Sequence, residues 1–325
     1  MLSLTPLFPK LALLLITATI SSESLLALDS QHIFLLTNGK NHTEIPFSLV
    51  NNLIVVEVVI GRKPMNFILD NGTSNPVIFH KKYLKELAVT LGHEITFQGV
   101  GAKRSVQATT FYGPSLHLSG VATDRIGMVV LKKNPFAQLK GKKTIHGVLG
   151  STLFRSFIVE IDYPNQTLRL HQQATFLAPD HYQSVPMKVV AGRPYISALV
   201  QGKLSVTEMD LLLDLGFNNS LLLQLGDSMA KKKFTKSVTT RIGAGYGGSL
   251  IGRKGTIPSV LIGSNYYENV ATIVPVSQSI SWKKIGSGIQ RMGSVGNTMF
   301  KDTSIIINYP EEKFYAACPE SLRMN

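Results

Sequence analysis

The chain has 325 residues, 44% of them apolar, with 33 Lys and Arg against 20 Asp and Glu for a formal net charge of +13. The length suits two domains of ordinary size, each with a sizeable core. The single cysteine, Cys318, excludes an intramolecular disulfide, and the basic runs Lys142-Lys143 and Lys231-Lys232-Lys233 carry no interleaved aromatics, which argues against a nucleic-acid partner.

At the N-terminus Lys10 precedes an apolar stretch, residues 11–20, too short to span a bilayer comfortably. Residues 1–27 read as a secretory signal. No Ala-x-Ala site marks its end, so a cleaved signal and a retained anchor both stand. An exported chain without disulfides fits a bacterial periplasm or bacterial secretion. The positive charge has two readings: a solvated basic surface, or attraction to an anionic envelope surface.

Residues 53–60 are Val- and Ile-rich and read as a strand. Phe67-Ile68-Leu69 then runs into Asp70-Asn71-Gly72-Thr73, and Val77-Ile78-Phe79 leaves it: strand, tight turn, strand. Residues 81–89 carry a helical signal, Gly99-Val100-Gly101 is a glycine-bearing loop, and residues 126–131 read as a strand. Ile145-His146-Gly147-Val148-Leu149-Gly150 follows, with a short helical stretch near Thr152. Residues 157–170 form a hairpin pattern about Tyr163-Pro164-Asn165. The polar stretch 172–187, with Pro179 and Pro186, marks a boundary, which gives domains at 28–178 and 179–325.

The second domain repeats the first. Leu211-Leu212-Leu213 enters Asp214-Leu215-Gly216-Phe217, and Leu221-Leu222-Leu223 leaves. Residues 225–233 carry a helical signal, and Gly243-Ala244-Gly245-Tyr246-Gly247-Gly248 is glycine-rich. Gly293-Ser294-Val295-Gly296 and a short helical stretch near Met299 follow, then a hairpin about Tyr309-Pro310. Gly150 lies 80 residues after Asp70, and Gly296 lies 82 after Asp214. Tyr163 lies 93 residues after Asp70, and Tyr309 lies 95 after Asp214. Three landmarks in one order at nearly one spacing indicate an internal duplication.

An aspartate that caps its own turn is the structural reading of either Asp-x-Gly triplet alone. The duplication favours another: Asp70 and Asp214 face each other across an approximate two-fold axis. Two carboxyls held close cannot both ionise comfortably, so they share one proton. Gly72 and Gly216 sit where the chain must turn sharply and a Cβ is disfavoured. The run from Gly243 also fits G-x-G-x-x-G, but more glycines follow it where a dinucleotide site needs a helix. There is no paired-His zinc motif, Cys-x-x-Cys, G-x-S-x-G elbow or P-loop.

These residues resemble the aspartic peptidases, more closely the bacterial retropepsin-like group than the secreted pepsins, over roughly residues 50–318. The resemblance implies a mainly β fold: two pseudo-symmetric retropepsin-like β-barrel lobes with a cleft between them, carried by one chain and expected to act as a monomer. It implies an endopeptidase with Asp70 and Asp214 as the catalytic pair, a peptide or protein substrate, and no metal or organic cofactor. Gly72, Thr73 and Gly216 would support the pair. Gly101 and Tyr246 would lie on hairpin flaps, Tyr246 as a substrate contact or as a loop residue with no such role. Tyr163, Tyr309, Gly150 and Gly296 read as structural. The chain departs from the family pattern at Asn71 and Leu215, where the family carries Thr, and at Phe217, where it carries a small or hydroxyl residue. These departures keep a second reading open: a weakened or inactive relic that binds peptide in the cell envelope.

Overall fold

The computed structural model describes residues 34–98, 105–134, 143–225, 233–234, 236–246, 248–275 and 289–317. The expected signal segment, Gly101, most of the helix expected over 225–233, and Cys318 lie outside them. The described chain is mainly β, arranged in an eleven-stranded and a thirteen-stranded sheet. Strands with alternating exposure, such as Arg193–Gln201, cover the core with one face. Strands apolar throughout, such as Ile126–Leu131, are buried along their whole length.

Each half contains the same four-strand arrangement. In the first, Gly147–Leu149 runs parallel to Lys63–Leu69 and antiparallel to Val77–Ile78. Val77–Ile78 in turn runs parallel to Ile126–Leu131. In the second, Arg291–Val295 runs parallel to Val206–Leu213 and antiparallel to Leu221–Leu223. Leu221–Leu223 runs parallel to Asn265–Pro275. The strand that enters each aspartate turn and the strand that leaves it are thus held apart by a third strand from about 80 residues downstream. That insertion fixes where both aspartates point.

The halves are joined by a shared run of six strands. His42–Pro46, Thr167–His171 and Ile158–Asp162 come from the first half, and Ser304–Asn308, Lys313–Ala317 and Tyr182–Val190 from the second. The central pairing sets Val159 opposite Ile307. One apolar cluster extends through both halves, from Phe34 and Ile54 to Leu213, Phe300 and Ala316.

The short helical stretches expected near Thr152 and Met299 are present, as an α-helix at Thr152–Ser156 and a 3-10 turn at Asn297–Met299. The helix expected over 81–89 is only a 3-10 turn, Lys81–Leu84, capped by His80 Nδ1 accepting from the Lys82 N–H. Ala88 adopts φ +34, a left-handed conformation that no right-handed helix passes through.

Candidate active site

Asp70 and Asp214 each stand just past the end of an apolar strand, tied to the inserted strand beneath. The Asp70 N–H donates to Leu149 O at 3.0 Å, and the Asp214 N–H to Val295 O at 2.8 Å. The glycines after those strands matter through packing. A Cβ on Gly150 would lie 2.6 Å from Thr73 O and 2.7 Å from Ser74 O. One on Gly296 would lie 2.5 Å from Asn219 O. Both turns therefore rest directly on a backbone that has no side chain, as their structural reading anticipates.

The two turns meet. The Leu215 N–H donates to Asn71 Oδ1 at 2.9 Å. A Cβ on Gly216 would lie 2.6 Å from Asp70 Cγ and 2.7 Å from each Asp70 oxygen. Neither Gly72 nor Gly216 has positive φ. Gly216 is thus required by the approach of a carboxyl from the other half, and the sharpness of its own turn is not the reason. Asn218 and the Asn51–Asn52 turn add a second tie: Asn218 Nδ2 donates to Asn51 O at 2.8 Å, and Asn52 Nδ2 to Asn218 O at 3.3 Å.

The carboxyls are both fully buried but differently served. Asp70 Oδ1 accepts from the Gly72 N–H at 2.7 Å, and Oδ2 from Thr73 Oγ1 at 2.8 Å. Asp214 Oδ1 accepts from the Gly216 N–H at 3.0 Å, whereas Oδ2 has no hydrogen-bond partner among the described residues. Phe217 stands where the first half has Thr73, so the second hydroxyl donor is missing. Burial raises both carboxyls above their ordinary range. The neighbouring Asp70 charge pushes Asp214 higher still, while the donors from Thr73 and Gly72 hold Asp70 down.

Around the turns, Asn297, Arg193 and Arg291 carry no recognisable sequence signal. Tyr163 donates to Asn297 Oδ1 at 2.7 Å, and Asn297 Nδ2 donates to Leu215 O at 2.6 Å. The Tyr309 hydroxyl lies beside the Asn71 side chain. The first-half Tyr-Pro hairpin thereby supports the aspartate turn of the second half. Arg291 is buried, donating from Nη2 to Ser294 Oγ at 2.8 Å and from Nε to Gly293 O at 3.3 Å. Burial lowers its guanidinium to about 10. Its charge and that of Arg193 favour the ionised form of Asp214. The matching first-half position is Ile145, two residues before Gly147 as Arg291 is two before Gly293.

Leu215 belongs to the main core, and Phe217 packs with Leu222, Ile242, Leu250 and Ile273. Tyr246 follows the strand Lys236–Gly245 at the tip of a hairpin whose other arm is Gly248–Ile262. It is buried against the first half, with its ring 6.5 Å from that of Phe79 at 73°. A cavity of about 660 Å³ opens elsewhere on the first half, lined by Leu91, His93, Tyr112, Asp124 and Arg125 among others. Neither aspartate turn lines it, so it is separate from the pair. Among the described residues no cluster of His, Cys, Asp or Glu has the makings of a metal site. No described helix is long and apolar enough to cross a membrane.

No family model and no curated protein matches the chain. Its structure is similar to the crystal structure of aspartic proteinase from Irpex lacteus, with a TM-score of 0.53 at 14% sequence identity. The match covers 86% of this chain and 98% of that one. At this identity the likeness is one of fold: the chain has the two-lobed, mainly β architecture of an aspartic proteinase.

Proposed function

We propose that the protein is an aspartic endopeptidase with Asp70 and Asp214 as its catalytic pair. The observation that carries this reading is the meeting of two duplicated turns, with the Asp70 carboxyl seated against Gly216. Two buried carboxyls close enough for the charge of one to raise the other share one proton. Asp70, with donors to both oxygens, is the member better able to hold negative charge. Asp214, raised further and with Oδ2 unpaired, is the member that holds the proton.

In this mechanism Asp70 removes a proton from a water molecule as its oxygen attacks the peptide carbonyl carbon. Asp214 donates a hydrogen bond to the carbonyl oxygen and stabilises the charge that develops there. The resulting tetrahedral carbon expels the amine, which takes up a proton from the pair, and the starting state returns. Thr73 and the glycine N–H groups hold the carboxyls, and the Asn71–Leu215 bond holds the turns in register. The chemistry draws on these side chains alone. Export, expected from residues 1–27, makes an extracytoplasmic peptide or protein the substrate class, and the basic surface would suit a peptidase working near an anionic envelope.

A second reading is favoured by Phe217. It fills the second-half wall beside Asp214 and removes a donor, as a relic that binds peptide without cleaving it would tolerate. A peptide-library cleavage assay on mature protein, beside Asp70→Asn, separates the two. Cleavage lost in the variant supports the peptidase. Peptide binding without cleavage in either protein supports the relic.

A further inference from the structure

Tyr246 belongs to the second half yet is buried in the first. Every other buried member of its apolar cluster comes from the first half, among them Ile68, Val77, Phe79 and Val129. Ile68 lies two residues before Asp70, and Val77 and Phe79 lie on the chain leaving its turn. The Tyr246 hydroxyl stands beside Thr73, the residue that donates to Asp70 Oδ2. The ring therefore lies on the wall immediately next to one member of the pair.

The opposite wall is also covered. Val77 pairs with Val129 and Val148, and Leu222 pairs with Ile273 and Ser294 in the same way. Leu222 and Ile273 are covered by Phe217. Each wall thus carries an aromatic ring from the chain itself, and both carboxyls are closed off from solvent. The tethers differ. Phe217 is fixed three residues after Asp214, whereas Tyr246 rides on a hairpin tip. A register shift between Arg241 and Gly243 interrupts that hairpin's ladder just before the tip.

We propose that Tyr246 is an intramolecular plug: it occupies the wall beside Asp70 that a substrate side chain must take, and the hairpin tip must withdraw before an extended peptide reaches the pair. The plug rests on the catalytic reading of the site, but its test is independent of cleavage. The probe is an extended peptide with a secondary hydroxyl in place of the scissile carbonyl, which cannot be hydrolysed. Calorimetric titration compares mature wild type, Tyr246→Ala and Tyr246→Phe.

A plug lowers apparent affinity by the fraction of molecules that are open. Tyr246→Ala should therefore bind the probe about tenfold tighter or more, and Tyr246→Phe, which keeps the ring, should stay close to wild type. Unchanged or weaker binding by a folded Tyr246→Ala overturns the proposal, as does a probe that binds neither protein. Hydrogen exchange on wild type gives a second readout that needs no variant. Amides of the hairpin tip should lose protection when the probe binds, and a gain, as for a flap that clasps substrate, overturns the plug. A wild type that cleaves nothing while Tyr246→Ala still binds tighter would defeat the peptidase reading and leave the plug standing.

Discussion

Asp70 and Asp214 occupy the same place in two copies of one motif, but Thr73 and Phe217 make them unequal. Both carboxyls are raised by burial, so their folded pKa values exceed the unfolded ones. A group of this kind contributes stability that is full below the unfolded carboxyl pKa of about 3.9 and is lost as pH rises through the folded values. Asp214→Asn should therefore raise the melting temperature by a few degrees at pH 7 and change it little at pH 3, as thermal scans at the two values would read. The state with one shared proton lies between the two raised values. Both limbs of the plot of kcat/KM against pH should therefore sit above the ordinary carboxylate range. Asn71 supplies the acceptor for a buried N–H from the other half. Asn71→Ala leaves that donor unpaired, which costs roughly 1–3 kcal/mol in denaturant unfolding, and the loosened turn should lower kcat by about 100-fold.

The aspartates and glycines were legible in the sequence because the duplication marks them twice. The inequality of the pair was legible only in part. Leu215 departs from the family's Thr, and its side chain cannot hydrogen-bond. The two turns are nevertheless linked, because the backbone N–H of Leu215 donates and Asn71 accepts, so the side chain at 215 is free to join the core. Asn297, Arg193 and Arg291 gave no signal, because a residue two layers from a site is recognised only by what it touches.

At the scale of elements, the inserted strands and the turns they support are the unit that sequence spacing reveals. Their tolerances follow from packing. Gly150→Ala would drive a Cβ into the carbonyls of Thr73 and Ser74. The strain should cost roughly 1–3 kcal/mol and displace the Asp70 turn, to be read as a lower urea midpoint together with lower activity. Phe217 is fully buried among Leu222, Ile242, Leu250 and Ile273. The change Leu215→Thr, Phe217→Ser would restore the family's residue types but also empty that site. Loss of a buried Phe side chain costs roughly 3–5 kcal/mol, so the double variant should unfold at markedly lower denaturant and should not gain activity. The 81–89 segment shows the limit of local pattern: its periodicity suits a helix, but tertiary packing of Leu84 and Leu87 and the left-handed Ala88 stop it after one turn.

At the scale of the molecule, two similar halves share a six-stranded seam, and the two aspartate turns meet only when both are in place. The two-lobed architecture was readable because the repeat spans nearly the whole chain. The crossing of the second-half hairpin into the first half was not, since it brings Tyr246 to Phe79 across 167 residues of sequence. The most direct test of the central claim is cleavage of an extended peptide library by mature wild type, Asp70→Asn and Asp214→Asn, with each protein shown to be folded. The members of the pair act as a unit, so each substitution alone should abolish cleavage. Cleavage that persists in either folded variant would contradict the assignment of Asp70 and Asp214 as the catalytic pair.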